Sequence, residues 1–198
     1  MSLKHFFPII FFLLTVVFLF STCDSGIENS PAPGIVRVTL ESDPSDTVII
    51  IVTDTLTVSD DDIFWVSIFQ GRVFRDDTYG ILYPNLESTR QEEKFYNIIL
   101  RQGGQYQRFT IFESHLPPQS YNKIEFGVDS RFLKLKNFDL IDVITPDNYF
   151  IKLPADFEIK SNKVTEVNIR VKPFKSVTRF RDSYIFQPEM EIYRVNYF

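Results

Sequence analysis

Cysteine and histidine are nearly missing from this chain, and their scarcity excludes several kinds of chemistry. Among 198 residues there is one cysteine, Cys23, and there are two histidines, His5 and His115. No intramolecular disulfide can form, and a metal site built from several cysteines or histidines is excluded. Because His5 lies within the amino-terminal segment that is predicted below to be cleaved, only His115 remains for a histidine-dependent triad, and no such triad is predicted. We expect no metal, no cofactor and no catalytic site.

Positive charge is also scarce. The chain has 21 lysines and arginines against 26 aspartates and glutamates, which gives a formal net charge of -5. Removing residues 1–22, which contain one lysine and no acidic residue, would make it -6. No run of basic residues is present. Nucleic acid and anionic lipid headgroups are therefore not expected as partners.

The sequence has only one long apolar run, at its amino end. Lys4 and His5 precede an apolar stretch from Phe6 to Phe20, which is followed by Ser21-Thr22-Cys23. Fifteen residues of helix span only ~23 Å, which is short of the ~30 Å of a bilayer core. A cationic start, a short apolar segment and small residues before a cleavage site are typical of a secretory signal peptide. We predict that residues 1–22 are cleaved.

The position of the single cysteine at this boundary resembles that in bacterial lipoprotein precursors. That resemblance implies a diacylglyceryl group on the Cys23 thiol, cleavage just before it and acylation of the new amino terminus. The alternative is an ordinary secreted protein with a free thiol at Cys23. Two or three acyl chains would hold the protein stably on a membrane. Residues 23–33 then form a polar flexible tether. The expected location is the cell envelope, and the outer membrane or cell surface is favoured over the inner membrane.

The remaining residues, 34–198, predict one all-β domain. Val36, Val38 and Leu40 alternate with polar residues, as in a half-buried strand, and the apolar run Val48–Val52 predicts a buried central strand. Gly103-Gly104 predicts a tight hairpin turn. About ten short strands without a long helical period favour an antiparallel β-sandwich. Further predicted strands are Ile63–Gln70, Phe95–Leu100, Tyr106–Phe112, a strand holding Ile124, Phe126 and Val128, Phe132–Leu135, Tyr149–Leu153, Phe157–Ile159, Thr165–Val171 and Tyr184–Ile192.

Three segments in fixed order carry a second resemblance. They are LPPQSYNKIEFGVD at 116–129, YFIKLPADFEI at 149–159 and SVTRFRDSYIFQPEMEI at 176–192. They are similar to bacterial lipoprotein domains of unknown function that are related to transthyretin-like, carboxypeptidase-regulatory-type sandwiches. The resemblance covers residues 34–198 and implies a Greek-key sandwich. Structural roles explain its motif residues, so it implies no chemistry.

The candidate site residues each have a structural alternative. Asp60-Asp61-Asp62 offers carboxylates for calcium, but a solvated turn is favoured because the spaced ligands of a calcium loop are missing. Glu113 and His115 would share a strand face, as an acid–base pair or as a solvated strand end. The segment Gly71–Lys94 breaks the strand pattern, with a possible short helix at Leu86–Lys94, and predicts an exposed irregular excursion. Its Tyr79 and Tyr83 are the candidate binding surface, unless they pack locally.

Taken together, these patterns predict a membrane-anchored envelope lipoprotein that acts by binding or scaffolding and not by catalysis. Its partner would be a protein or a glycan, and its oligomeric state stays open. The first alternative is a carbohydrate-binding or adhesion module. A carboxylate-dependent hydrolase is a second, less favoured alternative. The lipid on Cys23 would be its link to the membrane.

Overall fold

The computed structural model describes residues 30–136, 140–146 and 149–198, and these residues form strands, turns and irregular segments without any helix. The predicted signal peptide, Cys23 and most of the tether lie outside the described residues. Within the described part of the chain, no helix long and apolar enough to cross a membrane is found. The strands are β1 Gly34–Ser42, β2 Val48–Ile51, β3 Asp54–Thr57, β4 Ile63–Arg75, β5 Thr78–Ile81, β6 Lys94–Asn97, β7 Arg101–Gln102, β8 Gln105–Tyr106, β9 Phe109–Leu116, β10 Ser120–Lys134, β11 Val143–Ile144, β12 Phe150–Glu158, β13 Val164–Val171, β14 Val177–Phe180, β15 Ser183–Phe186 and β16 Met190–Tyr197.

A four-stranded sheet in the order β16-β13-β1-β9 forms one side of the core. As predicted, Val36, Val38 and Leu40 of β1 are buried. The prediction of wholly antiparallel pairing is wrong at two places, since β1 runs parallel to β13 and the short β11 runs parallel to β15. A parallel pair needs a long connection between its strands, and for β1 and β13 the whole set from β2 to β12 supplies it. Local sequence patterns do not reveal such a pairing.

A five-stranded sheet forms the other side, in the order β12-β10-β4-β5 with β6 also paired to β4. Its two long strands exceed their predicted lengths. β4 continues past Gln70 to Arg75, through a register shift at which Gln70 adopts a φ of 50°. Such bulges interrupt the two-residue alternation, which is why the sequence pattern ended there. β10 likewise joins two predicted strands, and β12 joins two others across Pro154, which an edge strand tolerates.

The inner faces of these two sheets contact each other. The ring centroids of Phe112 in β9 and Phe126 in β10 lie 5.9 Å apart. At Gly71 in β4, a side-chain Cβ would lie only 2.7 Å from the Phe112 ring, so the glycine allows the sheets to approach. Both sheets contribute to one hydrophobic core that also includes Phe64, Ile124 and Val167.

The predicted central strand Val48–Val52 is a hairpin arm instead, which corrects the sequence prediction. Among the described strands, β2 pairs only with β3. Its burial alternates: Ile49 and Ile51 lie in the core, whereas Val48, Ile50 and Val52 are 46%, 64% and 57% exposed. Because every residue of the run is apolar, its sequence carries no alternation from which this half-exposure could be read.

Several smaller predictions are resolved by the structure. The hairpin turn at Gly103 (φ 61°) and Gly104 (φ 79°) is confirmed, although it joins only the two-residue strands β7 and β8. The short helix predicted at Leu86–Lys94 is absent from this described segment, which leads without helix into β6. The single strand predicted at Tyr184–Ile192 is two strands, β15 and β16, because the stretch holding Pro188 separates them.

Candidate binding surface

The outer face of the five-stranded sheet is aromatic. Strand alternation sends Phe64, Val66 and Ile68 of β4 into the core, and therefore sends Trp65, Ser67 and Phe69 outward. Neighbouring strands add further rings at paired positions. The rings of this outer face are Trp65, Phe69 and Phe74 of β4, Tyr79 of β5, Phe95 of β6, Phe132 of β10 and Phe150 of β12.

One end of this face forms what we call the aromatic patch, made of Trp65, Phe95, Phe132 and Arg131. Trp65 pairs with Phe132 across the β4–β10 ladder, and Phe95 pairs with Ser67 on the other side. Phe95 is 51% exposed, and the Arg131 guanidinium carbon lies 5.3 Å from its ring centroid. The four side chains line an open depression of about 690 Å³. Flat rings beside a guanidinium can bind a partner by stacking and by charge-assisted hydrogen bonds.

Arg131 links the aromatic patch to two carboxylates. Its guanidinium lies 2.5 Å from Glu93 and 3.7 Å from Asp129. The Ser67 hydroxyl and then the Arg131 guanidinium hold the pKa of Glu93 below its usual value, against the opposing effect of burial. Glu93 is therefore a fixed, ionised hydrogen-bond acceptor at neutral pH.

A groove of about 440 Å³, here called the polar groove, adjoins the aromatic patch. Glu93 and Asp129 line it together with aromatic and amide side chains. The Thr145 hydroxyl at its edge accepts the backbone N–H of Ser130 and donates to the Ser130 hydroxyl, so its orientation is set. The described lining is Phe69, Gln70, Gln91, Glu93, Val128, Asp129, Thr145, Pro146 and Tyr149.

The Phe69 ring in this groove lies against the backbone of Gly127. A Cβ at position 127 would lie 2.5 Å from Cζ and 2.6 Å from Cδ2 of that ring. On the far side of Gly127, Phe150 meets Phe69 edge-on, with ring centroids 6.0 Å apart. A glycine opposite an aromatic residue thus allows the ring to cover the sheet. This arrangement gives the groove an apolar floor.

Tyr79 and Tyr83, the residues singled out in the sequence, lie in different environments. Tyr79 is on the outer face, 56% exposed, with its ring 5.5 Å from Phe74 and 5.3 Å from the Arg72 guanidinium. The Tyr83 backbone N–H donates to Ser114 Oγ, and its carbonyl accepts the N–H of Glu113, so it is attached to β9. The supposed excursion is therefore a β-hairpin followed by a loop, and only Tyr79 belongs to the aromatic face.

The acidic candidates from the sequence make structural contacts. Asp62, expected in a solvated turn, is buried, and its carboxylate accepts the backbone N–H groups of Ser59 (2.7 Å) and Lys136 (2.6 Å). Asp61 pairs with the Lys136 ammonium at 2.8 Å. Within the described ranges, no group of three or more His, Cys, Asp or Glu residues is arranged to hold a metal ion.

The outer face of the four-stranded sheet differs sharply from the aromatic one. Glu113 pairs with Arg37 at 2.7 Å, while His115 is exposed two residues further along β9. Glu41 bridges Arg108 and Arg170 at 2.9 and 3.2 Å. Charged side chains on this face thus find partners on neighbouring strands of the same sheet. The surface is stabilised internally and offers few open apolar groups to a partner.

Sequence reasoning missed the aromatic patch and the polar groove because the strand predicted at Ile63–Gln70 has no obvious outward face. Aromatic and aliphatic residues occupy both of its faces, so its alternation is concealed. A signal existed in Ser67, the one polar residue between Trp65 and Phe69, which marks the outward face. Phe95 and Phe132 join Trp65 only through strand pairing, which sequence spacing does not show.

Comparisons of this chain with protein-family models, with curated proteins and with solved structures found no match.

Proposed function

We propose that this protein is a lipid-anchored envelope protein that binds a partner through the aromatic outer face of its five-stranded sheet. In this proposal Cys23 carries the lipid, residues 23–33 are the tether, and residues 34–198 form a transthyretin-like sandwich with Greek-key connections. The protein acts by binding and not by catalysis. The aromatic patch faces a glycan or a protein in the cell envelope.

The contrast between the two outer faces carries this proposal. One sheet covers its outer side with ion pairs such as Arg37 with Glu113, whereas the other presents the exposed ring of Phe95 beside the half-buried rings of Trp65 and Phe132. A clustered set of exposed aromatic rings beside an arginine is typical of binding surfaces. Keeping such rings in water is unfavourable, so we infer that a partner covers them.

A carboxylate-dependent hydrolase is the second candidate, since Glu93 and Asp129 both line the polar groove. Glycoside hydrolysis needs one carboxyl group with a raised pKa to act as the acid. Arg131 pairs with both carboxylates, and the pKa of Glu93 is lowered. Both facts favour binding. Release of shorter sugars from an oligosaccharide by the purified protein would support hydrolysis instead.

The binding proposal is tested with the double variant Trp65→Ala/Phe95→Ala. We expect it to capture its partner from solubilised envelope fractions at least about tenfold less well, as for the loss of two binding hot spots. Phe180→Ala is the matched control, because Phe180 is 56% exposed on a different sheet, the three-stranded β11-β15-β14 sheet. Equal capture by the double variant and by the control would refute the assignment of the surface.

The membrane link is tested by Cys23→Ala in cells fed a labelled fatty acid. We expect the label to be lost and the protein to move from the detergent phase to the aqueous phase, because the acyl chains supply the membrane affinity. A variant that keeps the label or stays in the detergent phase would contradict lipidation at Cys23.

A further inference from the structure

The polar groove differs in chemistry from the aromatic patch beside it. The patch presents rings and one guanidinium, whereas the groove combines an aromatic floor with acceptors and donors of several kinds. Its volume of about 440 Å³ lies within the ~300–1,000 Å³ of small-molecule sites. The two areas are joined through Arg131, which lines the patch and pairs with Glu93 and Asp129 of the groove. A ligand can therefore occupy both at once.

The polar groups of the groove are held in place before any ligand arrives. Glu93 is fixed by Arg131, and the Thr145 hydroxyl by Ser130. Gln91 donates an amide N–H to the Gly71 carbonyl at 2.7 Å, which fixes the loop before β6 against β4. Fixed hydrogen-bonding groups lower the entropy lost on binding.

Gln70 provides a second, independent observation. It lines the groove, it is exposed, and its φ of 50° is unfavourable for a residue that is not glycine. Glycine adopts such a φ without strain, so Gln70→Gly would relieve it. Backbone strain of this kind gathers at ligand-binding sites.

The charge of the groove restricts its ligand. Glu93 and Asp129 bring two carboxylates against the single guanidinium of Arg131. An anionic ligand would be repelled by this excess of negative charge. Hydroxyl groups can both donate to carboxylates and accept from amides, and a sugar ring also has an apolar face that suits an aromatic floor.

We infer that the polar groove binds a neutral sugar residue of a glycan chain, with one ring face on Phe69 and hydroxyl groups on Gln70, Glu93 and Asp129. The neighbouring residues of that glycan extend over Trp65 and Phe95. This inference rests on the proposed binding function and gives its partner a chemical class. The adjacent patch explains why a chain, and not a single sugar, is the ligand.

Binding is measured on the full chain in detergent by the fluorescence of Trp65, the only tryptophan present. The probes are neutral hexasaccharides of β-1,4-linked glucose, mannose, xylose or N-acetylglucosamine and of α-1,4-linked glucose. We expect saturable binding of at least one of them, and binding about tenfold weaker for hexagalacturonate, because its carboxylates meet those of the groove. The absence of a saturable response to every neutral probe up to about 10 mM would overturn the inference.

Two variants assign that binding to the groove. Gln70→Gly removes the amide but relieves the backbone strain, and Glu93→Gln removes the charged acceptor; each should weaken binding about three- to tenfold. Gln70→Gly should do so without lowering the melting temperature, which excludes unfolding as the cause. Tyr83→Phe and Phe180→Ala are controls that should keep the original affinity. Unchanged affinity in both groove variants would refute the site.

The outcome separates this inference from the proposed function. If Trp65→Ala/Phe95→Ala abolishes capture of the envelope partner while no neutral sugar binds, the binding surface stands and the sugar assignment fails. If capture survives that double variant, the proposed function itself fails.

Discussion

Replacing Gly127 by alanine should destabilise the protein through a collision with a single ring. The new Cβ would lie closest to Cε2 of Phe69 and 2.5 Å from its Cζ, whereas carbon atoms pack best at ~3.5–4.0 Å, so the ring must retreat by more than about 1 Å. Overpacking of this kind costs about 1–3 kcal/mol, and the loss of glycine's freedom in the unfolded chain offsets about 0.4–1 kcal/mol. We expect the free energy of unfolding to fall by about 1–2 kcal/mol.

The same substitution should stabilise the protein, instead of destabilising it, when the Phe69 ring is absent. In a Phe69→Ala background the new methyl group meets no ring, and only the unfolded-state effect remains, worth about 0.4–1 kcal/mol of stabilisation. The φ of Gly127 lies outside the positive region, so alanine brings no backbone strain. The double-mutant cycle compares the unsubstituted chain from Pro31 onward with Gly127→Ala, Phe69→Ala and the double variant. Each is unfolded in urea and monitored by the fluorescence of Trp65. An equal cost of Gly127→Ala in both backgrounds would show that the Phe69 ring does not lie on Gly127.

Three further predictions concern stability. The chain from Pro31 onward, which forms one compact unit, should fold under reducing conditions and melt in one cooperative step with a β-type circular dichroism spectrum, because no disulfide contributes; a dominant helical signal would contradict the fold. Val52→Gly should raise the free energy of unfolding by about 0.5–1 kcal/mol, because Val52 has a φ of 58° at an exposed hairpin turn, and a lower melting temperature would contradict that strain. The pKa of Glu93 is lowered in the fold, so the stability that its ionised carboxylate contributes is present at pH values above its ordinary pKa of 4.5 and is lost as the pH falls through the folded-state pKa. Glu93→Gln should therefore flatten the acidic decline of the melting temperature. An unaltered pH profile of the melting temperature would exclude this contribution.

Local patterns predicted the strands whose two faces differ in polarity. β1 was identified because Arg37, Thr39 and Glu41 alternate with apolar residues, and the Gly103-Gly104 turn because glycine alone adopts its dihedral angles easily. The all-β class of the described residues followed from these and similar segments. The sandwich type and its connections depend on pairings between distant segments, which the patterns leave undetermined.

The candidate surface was harder to predict than the strands, and for a definite physical reason. Trp65 and Phe95 are accessible because the four-stranded sheet packs against the opposite face of their own sheet. The local sequence of β4 or β6 does not show which face that is. At Gln70 a bulge reverses the parity of β4, so any pattern that crosses it assigns the wrong face. Tyr79 was identified by its irregular surroundings, yet it is exposed because β5 is an edge strand of a regular sheet.

The position of β1 determines the order in which this molecule can fold. β1 is the first of the described strands but an interior strand of its sheet, where Thr39 Oγ1 donates to the Oδ1 of Asn168, 129 residues further along. Until β13 has been synthesised, β1 lacks one of its two neighbouring strands. Contacts of such long range form slowly, since a large loop must close before they contribute. A chain built in this way completes its four-stranded sheet only when its last strands, β13 and β16, have been synthesised.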